Sequence, residues 1–150
     1  MPNIVHRIGI KGATPAQVYT AFSTLEGLRS WWTRHTTGDP KVGGTLAFNF
    51  PERGFMDFQV LEAEPGVGVR WRCTNGPEDW VGTEIQARLK VIDGETTLDY
   101  RHCGWRNEST FMGHCTSQWA FFLFGLKRHF EGGKGSPVEG ANFEQVSRFD

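Results

Sequence analysis

The stretch Val81-Gly82-Thr83-Glu84-Ile85-Gln86-Ala87-Arg88-Leu89-Lys90-Val91-Ile92-Asp93-Gly94 decides how the rest of the chain is read. Val81, Thr83, Ile85, Ala87, Leu89 and Val91 alternate with Gly82, Glu84, Gln86, Arg88 and Lys90. A period of two with one apolar and one polar set is the pattern of a strand with one wet face. Asp93-Gly94 then supplies the pair of residues that a tight hairpin needs. The hairpin's second arm is Glu95–Cys103, where Leu98, Tyr100 and His102 share a face. Hairpin-length connections of this kind exclude a parallel sheet, because parallel neighbours need a long crossover.

Upstream the same pattern continues. Thr45–Phe50 puts Leu46, Phe48 and Phe50 on one side, and Pro51-Glu52-Arg53-Gly54 turns into a strand over Phe55–Glu62. Glu64-Pro65-Gly66 leads into Val67–Cys73, in which Val67, Val69, Trp71 and Cys73 align, and Asn75-Gly76-Pro77 is a loop. A polar stretch, Thr33–Lys41, precedes this meander. At the start of the chain, Asn3–Lys11 alternates, with Ile4, His6, Ile8 and Ile10 facing inward. Thr14-Pro15-Ala16-Gln17 carries a capping threonine, a first-turn proline and a glutamine placed for a capping box, so a helix starts there. The spacing predicts that it breaks at Gly27 and resumes over Leu28–Trp32.

Downstream, Met112, Cys115, Trp119, Phe122 and Leu126 step by three and four residues, with Phe130 one turn on. That stripe predicts a long amphipathic helix, stopped at Gly132-Gly133 after the basic Lys127-Arg128-His129. Phe143, Val146 and Phe149 in the tail are spaced to dock one more short helix. Strand, helix, antiparallel meander and long helix make an α+β domain with its helices on one side of the sheet.

Composition narrows the function. Lys and Arg number 16 against 17 Asp and Glu, so the net charge of −1 gives no reason to expect nucleic acid or an anionic membrane surface. Apolar runs fall far short of the ~20 residues of a membrane helix, and the N-terminus does not read as a signal peptide, so the expected compartment is the cytoplasm. Three cysteines without a CxxC spacing argue against a disulfide framework or structural zinc. His102-Cys103 and His114-Cys115 resemble paired ligands, but strand neighbours point to opposite faces and helix neighbours diverge by about 100°. No metal and no cofactor is expected.

The ordered blocks carry a resemblance. They are Ile8-Gly9-Ile10 with Thr14-Pro15-Ala16-Gln17-Val18-Tyr19-Thr20-Ala21-Phe22, Leu28 to Trp31-Trp32, and Val42-Gly43-Gly44. Val60-Leu61-Glu62-Ala63-Glu64-Pro65 with Arg70-Trp71 follows, then Thr96-Thr97-Leu98 to His102, Trp105, His114, Trp119 and Gly132. Over Asn3 to about Pro137 the chain resembles the START-like (SRPBCC) superfamily, in the branch similar to the C-terminal domain of the activator of heat-shock-protein-90 ATPase. The resemblance implies a helix-grip fold: a curved antiparallel β-sheet wrapped around a long C-terminal helix, with an apolar cavity between them. One START-like domain over 1–150 is expected, with its core at 3–135 and a tail at 136–150. The branch commonly has a Gly-Trp pair on the last helix, where this chain has Gln118-Trp119.

Aromatic residues make up 13% of the chain, enough to line a pocket or to fill a solid core, and the residues alone leave both open. The pocket reading nominates Trp32, Phe48, Trp71, Tyr100, His102, Trp105, Met112, Cys115, Trp119 and Phe122 as ligand-binding residues. His6, Tyr100 and His102 are its inward polar groups. The expected function is binding of a small hydrophobic or aromatic molecule without catalysis. A cyclase-, aromatase- or hydrolase-like enzyme in the same cavity is the alternative, with Asp57, Asp79, Tyr100 and His102 as the titratable candidates. A homodimer fits the reading, and a cochaperone-like interaction domain with a chaperone partner ranks below a small ligand.

Overall fold

The computed structural model of the chain describes residues 1–148. One antiparallel sheet contains β1 (Ile4–Ile10), β2 (Thr36–Gly38), β3 (Thr45–Phe50), β4 (Gly54–Glu64), β5 (Gly68–Asn75), β6 (Glu84–Ile92) and β7 (Glu95–Cys103). Its order is β1-β7-β6-β5-β4-β3-β2, so the meander runs in sequence and β1 closes onto β7. Three helices accompany it: α1 (Pro15–Ser23), α2 (Leu25–Arg29) and α3 (Thr110–Phe130).

The β6–β7 hairpin forms as its sequence dictates. Asp93 and Gly94 adopt φ of 50° and 77°, the left-handed pair that matches the strand twist. The register then sets Ile85 opposite His102, Ala87 opposite Tyr100 and Leu89 opposite Leu98. Small Ala87 is thus paired with large Tyr100, and both are buried. On the other face Arg70 and Arg72 reach Glu84, and Arg7 reaches Asp99, so that face stays charged and wet.

α3 starts where Ser109 accepts from the Met112 N–H. It lays Met112, Cys115, Trp119, Phe122, Leu123 and Leu126 against the concave face. His6 on β1 donates from Nε2 to the Thr116 carbonyl, and Lys127 reaches the Gly9 carbonyl, tying the helix to the sheet edge. The capping box at Thr14 and Gln17 is present with both its hydrogen bonds. This seven-stranded sheet gripping a long C-terminal helix is the α+β helix-grip fold.

The structure departs from the sequence reading at four places. The first helix breaks at Thr24, not Gly27: Thr24 is extended at φ −132° and its hydroxyl accepts from the Gly27 N–H, starting α2 at Leu25. The polar stretch after Trp32 contains the edge strand β2, paired to β3 with Thr36 opposite Phe48. β6 begins at Glu84, because Gly82 at φ 89° takes the chain out of strand geometry and Val81 is exposed. Residues 139–148 form no helix; the side chain of Gln118 bonds their backbone at Glu144 and Val146. Phe149, the last residue of that expected helix, lies outside the described residues.

Candidate functional site

Four segments meet at one end of α3. They are the β3–β4 hairpin, the connection from Gly76 to Trp80, the first half of α3, and the C-terminal segment from Phe143 to Arg148. Between them lies a cleft of about 730 Å³. Its walls are mostly rings. Trp119 packs against Trp32 at 4.8 Å between centroids and stacks on Trp80 at 5.9 Å. Phe50 sits 5.9 Å from Trp32, and Phe143 sits 6.3 Å from Phe50. Gly76 permits the close approach of loop and hairpin: at φ 139°, a Cβ there would stand 3.0 Å from the Phe55 carbonyl oxygen.

The C-terminal wall is fastened at two points. Buried Val138 donates to the Trp32 carbonyl at 2.8 Å and accepts from the Arg34 N–H at 2.9 Å. Further on, the Gln118 amide donates to the Glu144 carbonyl at 3.1 Å and accepts from the Val146 N–H at 3.2 Å, as a neighbouring strand would. Next to it, His114 Nδ1 is 2.5 Å from the Ser147 hydroxyl. Gln118 thus holds one wall of the cleft.

Of the nominated residues, the cleft brings together Trp32, Cys115, Trp119 and Phe122. Phe48, Trp71, Tyr100, His102, Trp105 and Met112 do not line it; they lie in the packed core behind it. Rings explain this: Phe48 packs 4.1 Å from Trp32, and Tyr100 packs 4.9 Å from Trp119, so the aromatics fill the space between sheet and helix. The rings thus build a solid core with a cleft at its end.

His102 is fully buried and both its nitrogens are engaged. The Thr83 hydroxyl donates to the Trp80 carbonyl, so His102 Nε2–H donates to Thr83 Oγ1 at 2.7 Å, while Trp119 Nε1–H donates to His102 Nδ1 at 3.2 Å. This fixes a neutral ring, and burial pushes its pKa down to about 3. Burial likewise raises Tyr100 well above the ordinary phenol range, and its hydroxyl has no hydrogen-bond partner among the described residues. Neither group reaches the cleft. Asp57 is half-buried on β4 and Asp79 is exposed, and neither lines the cleft. Burial pushes the Cys115 thiol up to about 12 and Cys73 up to about 11, so neither is a ready nucleophile. Among the described residues no group of three or more His, Cys, Asp or Glu is placed to hold a metal ion.

Sequence reasoning missed Phe50, Phe55, Met56, Trp80, Phe111 and Phe143 as lining residues. The signal was a tryptophan just past the Asn75-Gly76-Pro77 loop and phenylalanines on either side of the Pro51–Gly54 turn.

Comparison with known proteins agrees with this architecture. The chain is similar to the Aha1 dimer from Colwellia psychrerythraea, at 42% identity over 90% of this chain and 100% of that one, with a TM-score of 0.82. CalU16 from Micromonospora echinospora shares the fold at 19% identity and a TM-score of 0.72, over 89% of this chain and 76% of that one. Ferredoxin–NADP reductase 1 of Listeria innocua is 31% identical over 93 residues, 62% of this chain. The chain spans about a quarter of that relative's length, 27%. Residues 12–131 match the Activator of Hsp90 ATPase homolog 1-like protein family. With that match and the helix-grip architecture, the chain belongs to the Activator of Hsp90 ATPase homolog 1-like family of the START-like superfamily.

Proposed function

We propose that the protein binds a small aromatic or apolar molecule in the cleft between the β3–β4 hairpin, α3 and the C-terminal segment. The supporting observation is the cleft itself, about 730 Å³ and walled by Trp32, Trp80, Trp119, Phe50, Phe122 and Phe143. Small-molecule sites typically occupy about 300–1,000 Å³ and are mostly apolar with a few polar groups. Burial of apolar ligand surface would drive binding, at ~25 cal/mol per Å² before ordering costs. Chemistry on the ligand is not part of this reading, because His102 and Tyr100 are sealed in the core. Titration with phenylnaphthylamine, read by its own emission and by quenching of Trp80 and Trp119, tests the proposal. Saturable binding that weakens in a Phe143→Ala variant is expected. Non-saturable emission, together with a native mass spectrum of the bare chain alone after purification from its host, would sink it.

Self-association is a second reading, favoured by the Colwellia psychrerythraea relative being a dimer. Phe124 on the outward side of α3 is 51% exposed, unusual for a ring on a solvent-facing helix surface. Sedimentation of the protein beside a Phe124→Lys variant tests it, with a dimer that the variant dissociates as the expected outcome.

A further inference from the structure

The polar groups that line the cleft differ in how they are occupied. Gln118 is spent on the C-terminal backbone, and His114 faces Ser147. The side chains of Glu52, Arg53, Gln145 and Arg148 make no hydrogen bond or ion pair with the described residues. Two of these four are guanidiniums, which carry only donors. They come from different elements, Arg53 from the β3–β4 hairpin and Arg148 from the C-terminal segment, and both line the cleft. Trp80, 5% exposed, also lines the cleft, and its buried indole Nε1–H has the Cys115 thiol as its neighbour in place of an oxygen or nitrogen acceptor. The Cys115 thiol beside it is at best a weak acceptor. Among the described residues that line the cleft, Glu52 is the one carboxylate.

An apolar floor fits a flat ring system, and a donor-rich rim fits an acceptor at the ligand's end. We propose that the ligand is a planar aromatic acid, its rings stacked among Trp32, Trp80 and Trp119 and its carboxylate met by Arg53 and Arg148. This rests on the cleft being a binding site, and adds that the site selects charge. A carboxylate accepts two parallel bonds from a guanidinium, geometry that an amide of the same shape cannot match. Bound this way, the ligand bridges hairpin and C-terminal segment.

Calorimetric titration of the full chain with naphthoate and with naphthamide, at low and high ionic strength, tests this. Naphthoate is expected to bind about tenfold tighter than naphthamide at low salt, the scale of a charge-assisted hydrogen bond. Raising the salt is expected to shrink that preference, and the variant Arg53→Gln/Arg148→Gln to bring the two ligands within about twofold. Both arginines are exposed, so the variant is expected to melt as the parent does. Equal affinity in the parent, or a preference that the variant leaves intact, would overturn charge selection while leaving the cleft as an apolar site. Failure of both compounds to bind would overturn the binding site and the charge selection together.

Discussion

The indole N–H of Trp119 donates to Nδ1 of His102 across 3.2 Å, joining the central residue of α3 to the last inward residue of β7. The bond needs a bare nitrogen on the ring, and on the other side the Thr83 hydroxyl oxygen accepts from the Nε2–H. Helix and sheet are thus joined by a polar chain that works only while His102 is neutral.

Stability should therefore fall with acid. The ordinary imidazole pKa is 6.5 and burial lowers that of His102 to about 3, so between those values the unfolded chain binds the extra proton. The contribution is complete above 6.5 and is lost as the pH drops toward 3, at about 1.4 kcal/mol per pH unit while the window lasts. His102→Gln keeps an acceptor for Trp119 and a donor for Thr83 but takes up no proton. Urea unfolding at several pH values should show a shallower acid slope in that variant. Identical slopes would mean that His102 is not the group responsible.

Gly27→Ala should destabilise, although alanine is the better helix former by about 1 kcal/mol. A Cβ on Gly27 would stand 2.0 Å from the Thr20 carbonyl oxygen and 2.8 Å from Ala21 Cα, both backbone atoms that cannot swing aside. Moving α2 off α1 is expected to cost about 2 kcal/mol, in the range of overpacked cores. A higher melting temperature in the variant would show that the two helices separate freely.

Gly27 also marks where the sequence stopped being legible. Local patterns declared β7, α3, the Asp93-Gly94 hairpin and the Thr14 capping box, because each depends on residues a few positions apart. Gly27 reads as a break by propensity, yet it is a contact, set by Thr20 and Ala21 across a bend at Thr24. β2 stayed hidden because an edge strand of three residues, Thr36–Gly38, is too short to display a period. The cleft was half legible. Trp119 and Phe122 lay on an obvious stripe, while Trp80 comes from a loop with no periodicity and Phe143 from a segment whose helical spacing forms no helix, so tertiary contacts place both. Which rings fill space and which border it depends on packing distances that alternation does not encode.

Thiol reactivity should sort by burial. With Cys73 raised to about 11 and Cys115 to about 12 by desolvation, the thiolate fraction of either at pH 8 is about a thousandth or less. Cys103 is half-buried at the end of β7 and should alkylate first. Iodoacetamide labelling followed by peptide mass mapping should find Cys103 modified while Cys73 and Cys115 stay free until urea is added. Early labelling of Cys115 would reveal that the cleft opens to its floor.

Gln118→Ala should loosen the C-terminal wall without unfolding the domain. The side chain is half-buried and its amide makes both its bonds to the segment, at Glu144 and Val146. Alanine favours the helix, so α3 itself should hold. Two lost hydrogen bonds at a partly wet site amount to about 1–2 kcal/mol of local closing energy. Hydrogen exchange should then speed up at the Val146 amide by about tenfold or more, while the amides of β6 and β7 exchange as before. The anchor at Val138 gives an internal reference, since its bonds to Trp32 and Arg34 do not involve Gln118. Uniform acceleration along the sheet would mean that Gln118 supports the whole fold, and unchanged exchange at Val146 would mean that Phe143 packing alone holds the wall shut.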